Sequence, residues 1–318
     1  MTHFIDRIGA AVVSRGPRRL RFFTDGWGGS EHLTDLSLPS DPPHPVSIEW
    51  VHEWSDNGLA TSVGLFESPL ADSLPPRSRF AAVTRVAPGR PTRRTVVLMA
   101  AWNEHDSKAR FDIARRLAEH GITSLVVENP YYGVRRPRDG QPIRTVADFA
   151  TMGSAAIAEG RALLATIHHN GETAGISGYS MGGNVAALIS ATMPFPVASA
   201  PLAAAHSPAP VYLDGALRGG IDWEALGGEA SAAPALRRMM LEASVRAVPA
   251  AEHTRHAVIV AATADGYVPR ESTEMLHRHW PGSELRWVAG GHATLLWFRK
   301  QLLADAIVDA FDRIEAAG

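Results

Sequence analysis

The sequence predicts an α/β protein in which a mostly parallel central sheet is flanked by helices. A continuous apolar run at 95–101 is typical of a strand that is buried on both faces of such a sheet, and a second buried strand is predicted at 122–127. A helix-forming stretch lies between them, which gives the strand–helix–strand unit of a parallel sheet. The chain has 318 residues, 45% hydrophobic and 20% charged, and can therefore bury a sizeable core.

Residues 1–47 precede this pattern and are expected to form an N-terminal extension packed on the main body. A short amphipathic helix is predicted from His3 to Val13. The aromatic stretch FFTDGWGG at 22–29 is typical of a segment docked on a larger domain, although Trp27 could also face a substrate. The main domain is then expected to span 48–318.

Three strands are expected before the first buried run, at 48–54, 59–66 and 80–86. Asn57-Gly58 separates the first two and is typical of a hairpin turn. These strands therefore predict an antiparallel edge on a larger sheet.

Helices and strands alternate along the rest of the chain. One helix is expected to begin at Asp106 or Ser107 and to end at Gly121. A longer helix opens at Thr145, where TVAD resembles a capping box, and closes at Gly171. Further strands are predicted at 174–177, 196–205, 257–262 and 284–288, with a helix at 271–280 and one final amphipathic helix carrying the apolar positions from Leu295 to Ile314.

Residues 206–254 interrupt this alternation with several prolines and glycines and one helical run. The insertion lies at a point where folds of this kind often carry a cap or lid. A pair of extra packed helices is the alternative interpretation.

The sequence GYSMG at 178–182 lies between a predicted strand and a predicted helix. G-x-S-x-G in this context is typical of a nucleophile elbow, a sharp turn that lifts the serine above the sheet edge. Gly178 and Gly182 would remove side chains that collide with the neighbouring elements. Ser180 is therefore the candidate nucleophile, and the N–H of Met181 is a candidate oxyanion donor.

Asp265 and His292 follow two later predicted strands, so the chain order is serine, acid, histidine. The carboxyl ends of parallel strands open on one crevice, and the three side chains are expected to meet there. Ser180 needs a base, His292 can act as one near neutral pH, and Asp265 would orient the imidazole. A turn residue at Asp265 and a surface-loop histidine at His292 are the alternative interpretations of each residue alone.

The second oxyanion donor is expected in the loop after the 95–101 strand, from the backbone N–H of Trp102 or else Asn103. The same loop carries Glu104, His105 and Asp106, but these lack metal-ligand spacing and a further partner. We therefore predict no metal and no cofactor.

Other pocket residues are predicted by position. The loop ENPYYGVRRP at 128–137 opens on the crevice side, and its arginines could pair with an anionic substrate group. A solvated basic loop with tyrosines packed beneath it is the alternative. The candidate substrate-binding residues are Tyr131, Tyr132, Arg135 and Arg136 in this loop, with Tyr179 and Tyr267 beside the nucleophile and the acid.

The elbow, acid and histidine resemble the α/β-hydrolase superfamily from about Val46 onward. More narrowly, FFTDGWG, ENPYYGVRRP and GYSMGGN resemble the abhydrolase domain-containing protein 18 family. This resemblance implies an α/β-hydrolase fold with a mostly parallel eight-stranded sheet, and serine hydrolysis with lipid acyl esters as one substrate class. The loop WNEHD departs from the Gly-Asp-His-type sequence associated with that position.

The composition excludes several function classes. With a net charge of −2, nucleic acid is not an expected partner. The chain has no cysteine, which excludes disulfides and thiolate chemistry. We find no signal or membrane-spanning run and expect a cytoplasmic protein. The oligomeric state is not indicated.

The sequence thus predicts a serine hydrolase that cleaves a small-molecule carboxylic ester or thioester, with lipids included. An acyltransferase that uses the same acyl-enzyme and a non-catalytic binding module of the same fold are the alternatives.

Overall fold

The computed structural model describes residues 2–6, 21–29, 38–56, 58–104, 106–136 and 143–317. Within these ranges one sheet contains nine strands. They are β1 (Glu49–Asp56), β2 (Leu59–Glu67), β3 (Phe80–Pro88), β4 (Arg94–Met99), β5 (Thr123–Val127), β6 (Thr173–Tyr179), β7 (Ala198–Leu202), β8 (Val258–Ala262) and β9 (Glu284–Val288).

The strand order is β1-β2-β3-β5-β4-β6-β7-β8-β9. The strands β1, β2 and β3 pair antiparallel, β3 also pairs antiparallel with β5, and all later pairs are parallel. The antiparallel edge is therefore where the sequence predicted it. The family resemblance implied eight strands and is wrong by one, because a hairpin adds a strand to an edge without a crossover helix.

Helices cover both faces of this sheet, as the α/β prediction requires. They are α1 (Lys108–Glu119), α2 (Val146–His169), α3 (Met181–Ala191), α4 (Pro208–Leu213), α5 (Glu229–Glu242), α6 (Arg270–His279), α7 (His292–Phe298) and α8 (Lys300–Glu315). The capping box predicted at Thr145 is present, with Asp148 as its partner. The single final helix was wrong: the backbone turns at Arg299, where φ is −124°, and separates α7 from α8.

Three apolar clusters form the interior. One lies between the sheet and helices α2 and α3, and a second lies between the sheet and helices α1 and α8. The third contains Phe22 and Phe23 of the N-terminal segment together with Tyr212 and Leu236 of the stretch between β7 and β8. The N-terminal aromatic stretch and the 206–254 insertion therefore share one core.

Trp27 belongs to this third cluster, where its indole N–H donates to the Leu226 carbonyl at 3.1 Å. Of the helix predicted at 3–13, only residues 4–6 are helical in the described part of the chain, and the remainder lies outside it. The turn residue Asn57 also lies outside the described residues. No described helix has the length and apolar character needed to cross a membrane.

Candidate active site

Ser180 stands between β6 and α3 in a strained backbone conformation, with φ 58° and ψ −116°. A non-glycine residue rarely adopts a positive φ, and such strain is concentrated at functional turns. The flanking glycines are required by contact: a Cβ at Gly182 would lie 2.4 Å from the Met99 carbonyl oxygen, and one at Gly178 would lie 2.5 Å from Gly182 backbone. The turn therefore has the geometry that the G-x-S-x-G pattern indicates.

Asp265 and His292 are joined by a short hydrogen bond after strands β8 and β9. His292 Nδ1 lies 2.7 Å from Asp265 Oδ2. The other carboxylate oxygen, Oδ1, accepts the backbone N–H groups of Tyr267 and Val268, both at 2.8 Å. Both oxygens of Asp265 are thus fixed, and the bond assigns the imidazole proton to Nδ1, leaving Nε2 as the acceptor.

The environment of His292 favours its protonated form. Burial lowers the pKa of His292, but the charge of Asp265, the hydrogen bond to it and the charge of Asp6 together outweigh that effect. The net result is a pKa above the ordinary histidine value. The ring can therefore accept a proton readily near neutral pH.

Ser180 and His292 line the same cavity of about 270 Å³. Within the described part of the chain, no hydrogen bond joins their side chains. Catalytic hydrogen bonds are often long before substrate binds. The remaining wall is largely apolar and includes Val211, Tyr212, Leu217, Val268, Leu296 and Trp297.

The two predicted oxyanion donors of the β4 loop differ. The backbone N–H of Asn103 donates to the hydroxyl of Tyr132 at 3.1 Å, so it is already occupied. Trp102 and Met181 both line the cavity. Among the described residues, no turn or loop carbonyl accepts the backbone N–H of either one. The prediction of Asn103 as a donor is therefore not supported by this hydrogen bond. The N–H groups of Trp102 and Met181 remain the candidate oxyanion donors.

The β4 loop is anchored by an ion pair that the sequence did not reveal. Glu104 Oε1 lies 2.8 Å from Arg110 Nε, and Oε2 accepts the N–H of Ala101 at 2.9 Å. Arg110 also donates to the carbonyls of Leu98 and Val127, at the ends of two strands. Glu104 therefore holds the loop against the sheet in a sequence that lacks the Gly-Asp-His pattern.

The prediction that Arg135 binds substrate needs correction. Arg135 and Glu159 are both 1% exposed and form a bidentate pair, with N–O distances of 2.6 and 2.8 Å. Arg135 also donates to the carbonyls of Glu128 and Ser78, both at 2.6 Å. Its guanidinium is occupied inside the protein and does not line the cavity, because the loop folds inward onto α2.

The other residues of this loop also lie away from the cavity wall. Tyr131 and Tyr132 are buried in the third cluster, and Tyr132 supports Asn103. Arg136 is exposed, and its backbone carbonyl accepts a bond from Arg77 at 3.3 Å. The alternative in which the tyrosines pack the loop describes this region better.

Tyr179 and Tyr267, by contrast, line the cavity. Each ring lies 5.1 Å from the imidazole of His292. The Tyr179 hydroxyl donates to the His292 carbonyl at 2.5 Å, so this tyrosine also supports the histidine loop.

Sequence reasoning missed the insertion residues on the cavity wall and the carboxylate of Asp6 behind His292. Val211 and Tyr212 of α4 line the cavity, but the only helical run predicted in the insertion lies later in the chain, in α5. Asp6 had no local signal at all. No group of three or more metal-ligating side chains is found in the described ranges.

Comparison with known proteins agrees with this architecture. The family model described as Alpha/beta hydrolase domain containing 18 matches residues 20–234 and 228–313. Solved structures with a similar fold include a cold-adapted esterase from an Arctic intertidal metagenomic library, with a TM-score of 0.53, 17% identity, and coverage of 84% of this chain and 99% of that one.

Two further structures are similar at low identity. An acetyl xylan esterase from Paenibacillus sp. R4 has a TM-score of 0.59 and 13% identity, covering 84% of this chain and 89% of that one. Carboxyl esterase 2 from the mycorrhizal fungus Tuber melanosporum has a TM-score of 0.51 and 15% identity, covering 99% of each chain. At these identities the likeness establishes the fold.

Proposed function

The chain belongs to the alpha/beta hydrolase domain containing 18 family, and from this premise we propose that it is a serine hydrolase that cleaves a carboxylic ester or thioester. One observation carries the proposal: Ser180 occupies a strained elbow and shares a cavity with a histidine held 2.7 Å from Asp265, whose side chain is 5% exposed. A serine nucleophile, a base and an orienting acid are the groups that acyl transfer needs.

Each residue has a distinct role in the proposed reaction. Ser180 Oγ attacks the acyl carbon while His292 Nε2 takes its proton, and Asp265 stabilises the imidazolium through Nδ1. The tetrahedral intermediate then collapses: the bond between the acyl carbon and the leaving oxygen or sulfur breaks as His292 returns the proton to that atom, and the acyl-enzyme remains. In the second half, His292 takes a proton from water as the water attacks the acyl carbon, and returns it to Ser180 Oγ as the acyl–serine bond breaks and the acid leaves.

The oxyanion of the tetrahedral intermediate needs donors that are already aimed at it. The N–H of Met181, at the start of α3, and the N–H of Trp102 are assigned this role. The pair of Glu104 and Arg110 keeps the Trp102 loop in place.

The cavity wall supports an apolar acyl group as the substrate part held near Ser180. Leu217, Val268 and Leu296 line it beside the nucleophile, and burying an apolar chain against such residues is favourable. Arg135 is not available to bind an anionic group, since Glu159 already pairs with it. Lipid acyl esters are therefore one substrate class to test.

The experiment combines labelling and hydrolysis. Wild type, Ser180→Ala and the exposed control Ser231→Ala are treated with a fluorophosphonate, and the modified peptide is identified by mass spectrometry. We expect labelling at Ser180 in wild type and in Ser231→Ala only. Hydrolysis of p-nitrophenyl esters of increasing chain length should fall on the order of 10⁶-fold in Ser180→Ala.

The chain-length optimum would define the acyl group that the cavity accepts. Absence of labelling at Ser180, together with equal inertness of wild type and Ser180→Ala, would contradict the hydrolase and favour the binding module. Faster loss of ester when an alcohol is added, with the transferred product detected, would favour the acyltransferase.

A further inference from the structure

The carboxylate of Asp6 lies inside the protein although it comes from the N-terminal segment. Its side chain is 1% exposed. Asp6 Oδ2 accepts the backbone N–H of His292 at 2.6 Å and that of Gly266 at 3.0 Å, and Oδ1 accepts the N–H of Ala293 at 3.1 Å. Both oxygens of the Asp6 carboxylate are therefore engaged by backbone donors.

These donors belong to the two loops that carry the candidate acid and base. Gly266 directly follows Asp265, and the other two donors are His292 itself and its neighbour. One carboxylate therefore joins the acid loop to the histidine loop, in addition to the Asp265–His292 hydrogen bond. Movement of either loop would break at least one of these contacts.

The surrounding backbone is shaped to admit Asp6. A Cβ at Gly291 would lie 2.6 Å from Asp6 Oδ2, and a Cβ at Gly266 would lie 2.9 Å from the Asp6 Cβ. The segment is also fixed to the acid loop by the His3 N–H, which donates to the Ala264 carbonyl at 2.9 Å. The glycines before His292 and after Asp265 thus serve the approach of the N-terminal segment.

Among the described residues, Asp6 forms no ion pair with a lysine or arginine side chain. The nearby group that can become positive is the imidazole of His292, on which Asp6 acts in the same direction as Asp265. An anion beside a developing imidazolium stabilises it.

We propose that Asp6 is a positioning residue that holds the acid and histidine loops together and favours the protonated form of His292 during acyl transfer. The inference rests on the proposed hydrolase function. It assigns the N-terminal segment to the active site, although residues 1–47 were predicted to be an extension on the main body.

Other groups around His292 must be separated from Asp6 in a pH experiment. Asp265 bonds the ring, and Tyr179 and Tyr267 contact it. Burial raises the pKa of both tyrosines above the ordinary value of 10, so they stay neutral in the range of interest. His3 packs beside Gly291 and carries an imidazole of its own, so His3→Gln is a necessary companion variant.

The first measurement is the rate of Ser180 labelling by a fluorophosphonate between pH 5 and pH 9. Wild type, Asp6→Asn, Asp6→Ala, His3→Gln and Asp148→Ala are compared. Asp148 is the matched control, because it also accepts backbone N–H groups, at the start of α2 and away from the cavity. Folding of each variant is checked by circular dichroism.

We expect Asp6→Ala to lower the maximal labelling rate about 10- to 100-fold. Loss of a residue that orients a functional histidine has an effect of this size at metal sites. Asp6→Asn keeps the shape of the side chain but loses its charge. The acid limb of its labelling profile, where the rate falls as His292 becomes protonated, should therefore move to lower pH by roughly 0.5–1 unit. His3→Gln and Asp148→Ala should keep the wild-type limb. Asp6 variants with the wild-type rate and the wild-type limb would overturn the proposal.

A second measurement does not depend on catalysis. The His292 imidazole is titrated by NMR in wild type and Asp6→Asn, with assignment by His292→Gln. A lower His292 pKa in Asp6→Asn supports the inference, and an unchanged pKa overturns it. If wild type is not labelled at Ser180 while this shift is present, the proposed hydrolase function fails but the placement of Asp6 stands.

Discussion

The sequence favours the loop at 128–136, and not the N-terminal residues 2–6, as a part of the candidate site. The structure shows the reverse. The loop is rich in arginine and tyrosine and follows a strand of the sheet, which favours a substrate contact. The segment is short and precedes every strand. In the structure the loop is held against α2 by the ion pair of Arg135 with Glu159. In the N-terminal residues, Asp6 accepts the backbone N–H of His292.

The difference lies in what satisfies each buried charge. Glu159 meets a guanidinium in a bidentate pair, so the two charges neutralise each other and have little left to offer a ligand. Asp6 meets only backbone N–H groups in the described contacts, so its field acts on the neighbouring histidine. Each partner of the buried ion pair is needed to neutralise the other, whereas the charge of Asp6 is proposed to act on His292.

The largest expected effect comes from breaking the ion pair. Arg135→Met would leave Glu159 buried without its partner, and we expect a loss of about 3–5 kcal/mol in the free energy of unfolding. Urea unfolding followed by circular dichroism measures this loss. The acid limb of Ser180 labelling should not move in the fraction that stays folded.

The double variant Arg135→Met with Glu159→Leu is the control, since it removes both charges together. It should recover most of the lost stability. Unchanged stability in Arg135→Met, combined with a raised KM for an anionic ester, would restore the substrate-binding interpretation of this loop.

The comparison predicts a smaller stability effect for the N-terminal segment. Asp6→Ala removes a carboxylate that accepts backbone N–H groups, and such losses cost about 0.5–2 kcal/mol at comparable capping positions. Urea unfolding of Asp6→Ala beside Arg135→Met tests this order. A larger loss in Asp6→Ala than in Arg135→Met would mean that the segment mainly supports the fold.

A still smaller effect is expected at Tyr132. Tyr132→Phe removes the acceptor of the Asn103 N–H, and one such hydrogen bond contributes about 0.5–1.5 kcal/mol. The labelling rate of Ser180 should stay within about two-fold of wild type, because Trp102 supplies the proposed oxyanion donor. A rate increase after Tyr132→Phe would indicate that the released Asn103 N–H is the better donor.

His206 is a buried histidine to compare with His292, because no carboxylate is among the groups that shift the pKa of His206. Burial, followed by the charge of Arg246, lowers the pKa of His206 to about 4. The unfolded chain takes up a proton near 6.5 and the folded one does not, so this stability is present above pH 6.5 and is lost as the pH falls toward 4.

His206→Asn should therefore flatten the loss of stability between pH 7 and pH 4.5, in addition to a pH-independent loss from removing a buried ring that bonds Ser272 at 2.8 Å. Urea unfolding at several pH values measures it. An equal slope in wild type and variant would contradict the assignment. His292 could not supply that slope, because its raised pKa adds stability as the pH falls.

Much of the fold followed from local patterns. Continuous apolar runs marked the buried strands, a capping box marked the start of α2, and glycines around Ser180 marked the sharp turn. The order of Ser180, Asp265 and His292 along successive strand ends predicted their common edge, because the carboxyl ends of parallel strands meet there. These features depend on neighbouring residues and so are visible in the sequence.

The partners of the buried charges were decided only by the tertiary structure. Asp6 is separated by 260 residues from Gly266 and by 286 from His292, and no local pattern encodes such a contact. Arg135 has the sequence context of a binding loop, yet its position opposite Glu159 on α2 makes it a structural residue. Whether a charge serves stability or chemistry depends on what it faces after folding, because burial makes the nearest partner dominate its energy.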